Sequence, residues 1–204
     1  IFNNAYMMTG THHLYNYLPT KHEKWLTMIK QEIIDSGLII DILNAKTMEA
    51  VFRLLQGCSF LGSFLAYQYT IDMNYINFSE NDFVKAGIGA IRGIKKCFLC
   101  YGNKCEDAIW YVKEHFNDLL KRYGYTSFHP LPGHEPTLID LQNCFCETDK
   151  YLRAKMPELR IGNVRIKQKY MPHTDPIQFF FPPKWNIVEM YKYKPIVVPT
   201  LFDL

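Results

Sequence analysis

The sequence has no apolar run long enough to cross a membrane. The longest candidate, residues 58–69, is interrupted by Gly62 and Gln68, whereas a spanning helix needs about 18 to 20 consecutive apolar residues. The sequence also has no lysine-rich tail, and its formal net charge is only +3. We therefore predict no membrane partner, and the mild basicity permits nucleic-acid binding without requiring it.

A P-loop is missing as well. Residues 87–96 have the sequence GIGAIRGIKK, which is glycine-rich but lacks the Gly-x4-Gly-Lys-Ser/Thr pattern that holds nucleotide phosphates. These residues therefore do not encode a P-loop kinase. The cations Arg92, Lys95 and Lys96 instead predict contacts with a nucleic-acid backbone, and the alternative is a solvated helix face.

The cysteines allow two interpretations. Cys97, Cys100 and Cys105 are clustered, as thiolates are in zinc and iron–sulfur sites. No second pair closes such a site, because Cys144 and Cys146 are separated by a single residue, which is too tight for a zinc knuckle. The sequence favours reduced, largely buried thiols in an intracellular protein, without a metal or another cofactor.

Apolar residues make up 48% of the sequence and follow mainly a helical period. Their spacing predicts helices over 21–35, 46–55, 64–74, 106–123 and 138–155, and a glycine-interrupted, partly helical stretch over 83–98. Ser36-Gly37 is predicted to end the first helix, and Thr137 to cap the last one. The fold class is therefore mostly α. The 14 Tyr, 14 Phe and 3 Trp fit either a core or a base-stacking surface.

The C-terminal end has a different composition. We predict a helical domain over residues 1–157 and an extended, Pro-rich tail over 158–204, with isolated strands at 160–166 and 195–198. Residues 160–204 are also the candidate surface for protein partners. Because the chain opens at Ile1 and not at a methionine, we expect upstream elements to be missing. The tail prolines are Pro172, Pro176, Pro182, Pro183, Pro195 and Pro199.

Residues 54–68, LLQGCSFLGSFLAYQ, show a helix, a tight glycine turn and a second helix. This is the pattern of a helix-hairpin-helix element, in which the hairpin N–H groups and the following helix start bind a phosphate. Gly62 is accordingly a candidate DNA-binding residue. Phe60 stands where the pattern has its first glycine, which weakens the phosphate prediction. A glycine turn between two packed helices is the structural alternative.

A carboxylate, Asp82, follows Gly62 by 20 residues (82 − 62). In helix-hairpin-helix DNA glycosylases the essential aspartate follows the second hairpin glycine at about this distance, so Asp82 resembles that residue. Such a carboxylate can stabilise positive charge or activate a nucleophile beside a flipped base. Residues 63–65 contain no lysine, which argues against a Schiff-base lyase. A helix cap or a solvated side chain is the alternative for Asp82.

Four longer blocks carry a wider resemblance: AYMM at 5–8, FLAYQYTIDMNY at 64–75, ENDFVKAGIGAIRGIKKCF at 80–98 and LIDLQNCFCETDKY at 138–151. In order and spacing they resemble the helical domain of 5-hydroxymethyl-deoxyuridine DNA kinases, from about residue 5 to residue 157. That domain also occurs in DNA base hypermodification proteins and is related to the α-glutamyl/putrescinyl-thymine pyrophosphorylases.

The resemblance implies a DNA-glycosylase-like helical domain that acts on DNA. Its relatives are thought to modify thymine bases whose 5-methyl group has been hydroxylated and then phosphorylated, with a nucleophile replacing the phosphate on the exocyclic methylene. An enzyme of the transferase type is therefore expected, in the nucleus or in the cytoplasm of a phage- or virus-infected cell. A non-catalytic DNA-binding module and a structural subunit are the alternatives.

The resemblance also implies site residues. Asp82 and Asp140 are the candidate catalytic carboxylates. Asp140, Asn143 and Glu147 are spaced to share a helix face, which fits a pocket wall, a buried hydrogen-bond network or a solvated face equally well; Asp149 is a further second-site candidate. The remaining candidates for base or DNA contact are Tyr67, Gln68, Asn81 and Gln142, with core packing as the alternative for Tyr67.

Overall fold

A computed structural model describes residues 11–73, 79–131, 134–160, 181–185 and 187. Within these ranges the chain has eight α-helices and no β-strand, so the predicted mostly α fold is confirmed. Both predicted strands, at 160–166 and 195–198, lie outside the described residues except for Arg160. None of the described helices is long and apolar enough to span a membrane. The helices are α1 (Lys21–Met28), α2 (Leu38–Asn44), α3 (Met48–Gln56), α4 (Ser63–Met73), α5 (Ile88–Cys97), α6 (Glu106–Glu114), α7 (Phe116–Arg122) and α8 (Leu138–Lys155).

Local signals set several helix ends. Thr137 begins α8 through a capping box with Asp140, in which each side chain satisfies a backbone N–H of the other residue. Helix α1 continues as a π-helix over Ile29–Asp35, and the chain then turns at Gly37, whose φ of 80° is left-handed. The predicted signals at Gly37 and Thr137 are therefore confirmed.

Two stretches differ from the periodic pattern. Residues 106–123, predicted as one helix, form α6 and α7, because the backbone leaves helical geometry at His115 with φ −107° and ψ 17°. Residues 38–44, which had no assigned structure, form α2. Both differences are local, and neither changes the fold class.

The closest helix crossing joins α5 to α8. A Cβ atom added at Gly93 would lie 2.0 Å from the carbonyl oxygen of Phe145, and one at Gly89 would lie 2.4 Å from Cys146 Sγ. At Gly93 the obstacle is backbone, so the α5 backbone approaches α8 at a distance that no larger residue permits, whereas at Gly89 the obstacle is the end of a side chain. The core continues through α3 and α4, where the largest fully buried side chains include Met48, Leu55 and Tyr67.

A buried ion pair links the same two helices. Lys96 on α5 lies 2.6 Å from Asp149 on α8, and their side chains are only 3% and 2% exposed. Arg153, one turn further along α8, approaches the second carboxylate oxygen of Asp149 at 3.1 Å. Asp149 therefore neutralises two cations inside the domain.

Candidate functional site

Polar side chains from three parts of the chain meet at the start of α8. Asp140 Oδ2 accepts hydrogen bonds from the Thr137 backbone N–H at 2.8 Å and from its hydroxyl at 2.9 Å. The same oxygen lies 2.9 Å from His134 Nε2. Asn81 Oδ1 accepts from the Leu138 N–H at 3.3 Å. The loop that carries Asn81 and Asp82 is thereby held against the N-terminal end of α8, the helix that carries Asp140.

A segment near the C-terminus crosses this region; we call residues 181–185 the strap. The indole Nε1–H of Trp185 donates to Glu80 Oε2 at 2.8 Å, and its ring stacks on His134 with 3.5 Å between centroids and 22° between planes. Lys184 Nζ lies 3.7 Å from Glu80 Oε1. The strap therefore joins Glu80 on one side of the site to His134 and Asp140 on the other.

The environment of Asp82 is set by its partial burial and by the strap. Burial raises the pKa of the Asp82 carboxyl above its ordinary value, and the charge of Lys184 offsets part of the rise. Burial likewise lowers the pKa of Lys184, against the opposing influence of Glu80 and Asp82. As a residue Asp82 remains exposed, so a substrate can reach it.

The two predicted catalytic carboxylates thus lie in one cluster, but their surroundings differ. Asp140 is engaged by Thr137 and His134, which is the environment of a capping and positioning residue. Asp82 has fewer contacts of this kind, and the charge of Lys184 lowers its pKa in part. Of the two, Asp82 is the better placed to act on a bound molecule. A catalytic role for either stays a prediction.

Three of the predicted base-contacting residues surround a small cavity elsewhere. Tyr67, Gln68 and Gln142 line it together with Lys85 and Gly87, and its volume is about 10 Å³, which is the space of one water molecule. The Tyr67 hydroxyl and Gln142 Oε1 are buried without a hydrogen-bond partner within the described residues. Burial raises the pKa of Tyr67. The cavity suits a bridging water and is too small for a base.

The hairpin turn between α3 and α4 keeps a glycine-like backbone at Phe60. Its φ is +64°, a left-handed conformation that costs a residue with a side chain about 1–2 kcal/mol. The ring compensates by packing in an aromatic cluster, with centroids 5.5 Å from Trp25 and 5.4 Å from Tyr15. Phe60 therefore holds a backbone conformation that glycine adopts without strain.

Phe60 can be tested by comparing two truncations. We expect Phe60→Ala to be less stable than Phe60→Gly by about 1 kcal/mol, because both remove the ring but only alanine keeps a Cβ in the left-handed region. Both should be less stable than the wild type. Urea unfolding measures the difference, and an alanine variant as stable as the glycine variant would show that the turn is not strained.

Most hairpin N–H groups already have acceptors. The Ser59 N–H donates to Glu32 Oε2 at 2.7 Å, and Glu32 Oε1 accepts from the Tyr15 hydroxyl at 2.6 Å. Burial alone would raise the pKa of Glu32, but these hydrogen bonds outweigh it and the pKa is lowered. The Gly62 N–H donates within the turn, to Phe60 O. The phosphate contact predicted at Gly62 stays a prediction, with the N–H groups of the first turn of α4 as further donors.

The predicted cations of α5 and the predicted polar residues of α8 differ in how exposed they are. Lys95 is exposed and Arg92 half-buried, whereas Lys96 is committed to Asp149. A phosphate could reach Lys96 only if that buried pair opened, so backbone contact is a prediction better suited to Arg92 and Lys95. Asn143 and Glu147 are exposed, which places them on a solvated part of α8 and away from a buried network.

The clustered cysteines do not assemble into a site in the described part of the chain. Cys97 and Cys100 are exposed and Cys105 is half-buried, so the expectation of largely buried thiols is wrong for this cluster. Among the described residues, no three His, Cys, Asp or Glu side chains are grouped as metal ligands would be. Burial raises the pKa of the Cys97 and Cys105 thiols, which favours the protonated form.

Comparison with known proteins identifies the domain. Residues 1–161 match the family model described as the helical domain of 5-hmdU DNA kinase. The chain belongs to this family. Searches of curated proteins and of solved structures find no match. The strap lies beyond the matched residues, so the family match covers Asp82 and Asp140 but not Lys184 or Trp185.

The sequence did not indicate three members of the cluster: His134, Lys184 and Trp185. Glu80 belongs to the family block at 80–98 but was not a site candidate, and the only signal for His134 was its proximity to Thr137. The strap contact spans 105 residues of sequence, and no periodic pattern predicts a contact of that kind.

Proposed function

We propose that this domain takes part in DNA base hypermodification and holds a 5-hydroxymethyl-uracil-derived base for substitution at its exocyclic methylene. The observation that carries the proposal is the position of Asp82. It lies within the matched family domain, it is exposed to a substrate, and its pKa is raised by burial and partly offset by the charge of Lys184. Enzymes that act on a base take it out of the duplex, and a carboxylate near the reacting atom is a common requirement of their chemistry.

The proposed reaction replaces a phosphate by a nucleophile such as an amine. The bond between the methylene carbon and the phosphate oxygen breaks, and the phosphate leaves with the electron pair. A bond from the nucleophile to the carbon forms, and the proton it releases passes to the Asp82 carboxylate. Asp140 contributes indirectly, by holding His134 through its 2.9 Å contact.

Asp82→Asn tests the role of the carboxylate. We expect the modification rate on DNA containing phosphorylated 5-hydroxymethyl-deoxyuridine to fall at least about 100-fold, because an amide cannot accept the proton. Because burial raises the pKa of Asp82, the wild-type rate should also decline on acidification at a higher pH than for an ordinary aspartate. Asp118→Asn, an exposed change on α7, is the matched control.

Binding to a short DNA duplex across a salt series separates the alternatives. Affinity that falls steeply with salt indicates several phosphate contacts. Asp82→Asn should leave this salt dependence unchanged. Binding combined with modification that is insensitive to Asp82→Asn would identify a DNA-binding role for this domain with the chemistry elsewhere. Absence of binding at low salt would exclude both the enzyme and the DNA-module proposals.

A further inference from the structure

The Trp185 side chain has the contacts of a bound ligand. Its flat ring lies over the His134 imidazole at 3.5 Å, nearly parallel, and its N–H donates to the Glu80 carboxylate at 2.8 Å. Both partners belong to the domain, and Trp185 comes to them from a segment 105 residues away from Glu80. A planar heterocycle with one N–H at its edge can satisfy both contacts in the same way.

We propose that Trp185 occupies a nucleobase-binding site formed by His134 and Glu80, and that a uracil-type base displaces the strap to bind there. This inference rests on the proposed function and names the place where the base is held. Aromatic and imidazole rings are sequence-tolerant stacking partners for extruded bases. The carboxylate then supplies the selectivity, because it accepts from a ring N–H.

The neighbouring groups fit the edge of a uracil-type ring. Its N3–H lies between two carbonyl groups, so it needs one acceptor flanked by donors. Glu80 supplies the acceptor. Asn81 is adjacent, and because its Oδ1 accepts from the Leu138 N–H, its amide –NH₂ is the end that can donate to a carbonyl. Cytosine has no N–H at ring position N3, so it could reach Glu80 only through its exocyclic amine.

Strap displacement also connects the site to the chemistry. Lys184 adjoins Trp185, lies 3.7 Å from Glu80 Oε1 and contributes to the electrostatic environment of Asp82. When a base replaces Trp185, Lys184 is carried away with it. Asp82 then loses the neighbouring positive charge and becomes a stronger proton acceptor. Occupation of the base site and activation of Asp82 are therefore coupled through two consecutive strap residues.

Nucleoside binding to the full chain tests the inference without DNA or turnover. The probe is 5-hydroxymethyl-2′-deoxyuridine, and the measurement is calorimetric or NMR titration. We expect Trp185→Ala to bind the probe about tenfold more tightly than the wild type. If the strap is open for about one-tenth of the time, the apparent affinity of the wild type is lowered about tenfold, and removing Trp185 restores it. Trp185→Phe, which keeps a stacking ring but lacks the N–H, should show a smaller gain and serves if the alanine variant does not fold.

Two controls identify the contacts. Adding Glu80→Ala, which removes the acceptor, to Trp185→Ala should remove most of the gain, and a probe methylated at N3 should not bind more tightly to Trp185→Ala than to the wild type. Equal or weaker binding of the unmethylated probe by both Trp185 variants would overturn the inference, and the strap would then be a structural brace.

The failures of the two proposals can be told apart. Loss of modification in Asp82→Asn without a nucleoside gain in Trp185→Ala would retain the proposed function and reject the base site. A nucleoside gain in a protein that does not bind DNA would retain the site as one for free nucleosides and reject the function on DNA.

Discussion

Gly93→Ala is expected to destabilise the domain by about 3 kcal/mol, at the upper end of the range for overpacked cores. The added Cβ would lie 2.0 Å from Phe145 O, 2.9 Å from its carbonyl carbon and 3.3 Å from its Cα. All three are backbone atoms of α8, so no side-chain rotation relieves the clash and the helices must separate. The gain of about 1 kcal/mol in helix propensity from glycine to alanine offsets only part of this cost.

Two other glycines are matched controls for that change. At Gly89 the nearest atom is Cys146 Sγ at 2.4 Å, the end of a side chain that can rotate, so Gly89→Ala should cost less. At Gly62 nothing lies within 4 Å of an added Cβ, and Gly62→Ala should change stability by less than about 1 kcal/mol. Urea unfolding of the three variants gives the order. If Gly93→Ala is as stable as Gly62→Ala, the α5–α8 crossing is not as close as the structure indicates.

The glycines of α5 show why the sequence indicated only part of the fold. Glycine lowers helix propensity, so the segment 83–98 was predicted to be helical only in part and irregular. It forms a regular helix from Ile88 to Cys97, which confirms the partial helix but not the irregularity within it. The stabilisation comes from packing against α8, which is distant in sequence and therefore invisible to local periodicity. Signals that act within one turn, such as Thr137 and Gly37, were sufficient to predict helix ends.

The candidate site was likewise predicted only in part from the sequence. Asn81, Asp82 and Asp140 were predicted through the family blocks, and the structure joins them through Asn81 at the start of α8. Tyr67 and Gln142 were predicted beside a base but line a cavity of water size. The strap residues lie in a proline-rich segment without periodicity, so only the folded chain reveals that Trp185 reaches Glu80.

Asp149→Ala is expected to cost about 3–5 kcal/mol, the usual penalty for removing one partner of a buried pair. Lys96, 3% exposed, would be left without its carboxylate, and Arg153 would lose its 3.1 Å partner as well. Lys96→Met should cost less, because Asp149 keeps Arg153 and the methionine fills much of the lysine stem. Lys150→Ala, which removes the exposed pair with Glu147, should change stability by less than about 1 kcal/mol.

Lys96→Met, compared with Lys95→Met, decides whether Lys96 contacts DNA. A lysine that binds a phosphate adds about one to the slope of log affinity against log salt. Because Lys96 is neutralised inside the domain, we expect Lys96→Met to leave that slope unchanged and Lys95→Met to reduce it. A slope reduced by Lys96→Met in a protein that remains folded would mean that the Lys96–Asp149 pair opens on DNA. Asp149 would then keep Arg153 as its partner, and the α5–α8 crossing would itself respond to DNA binding.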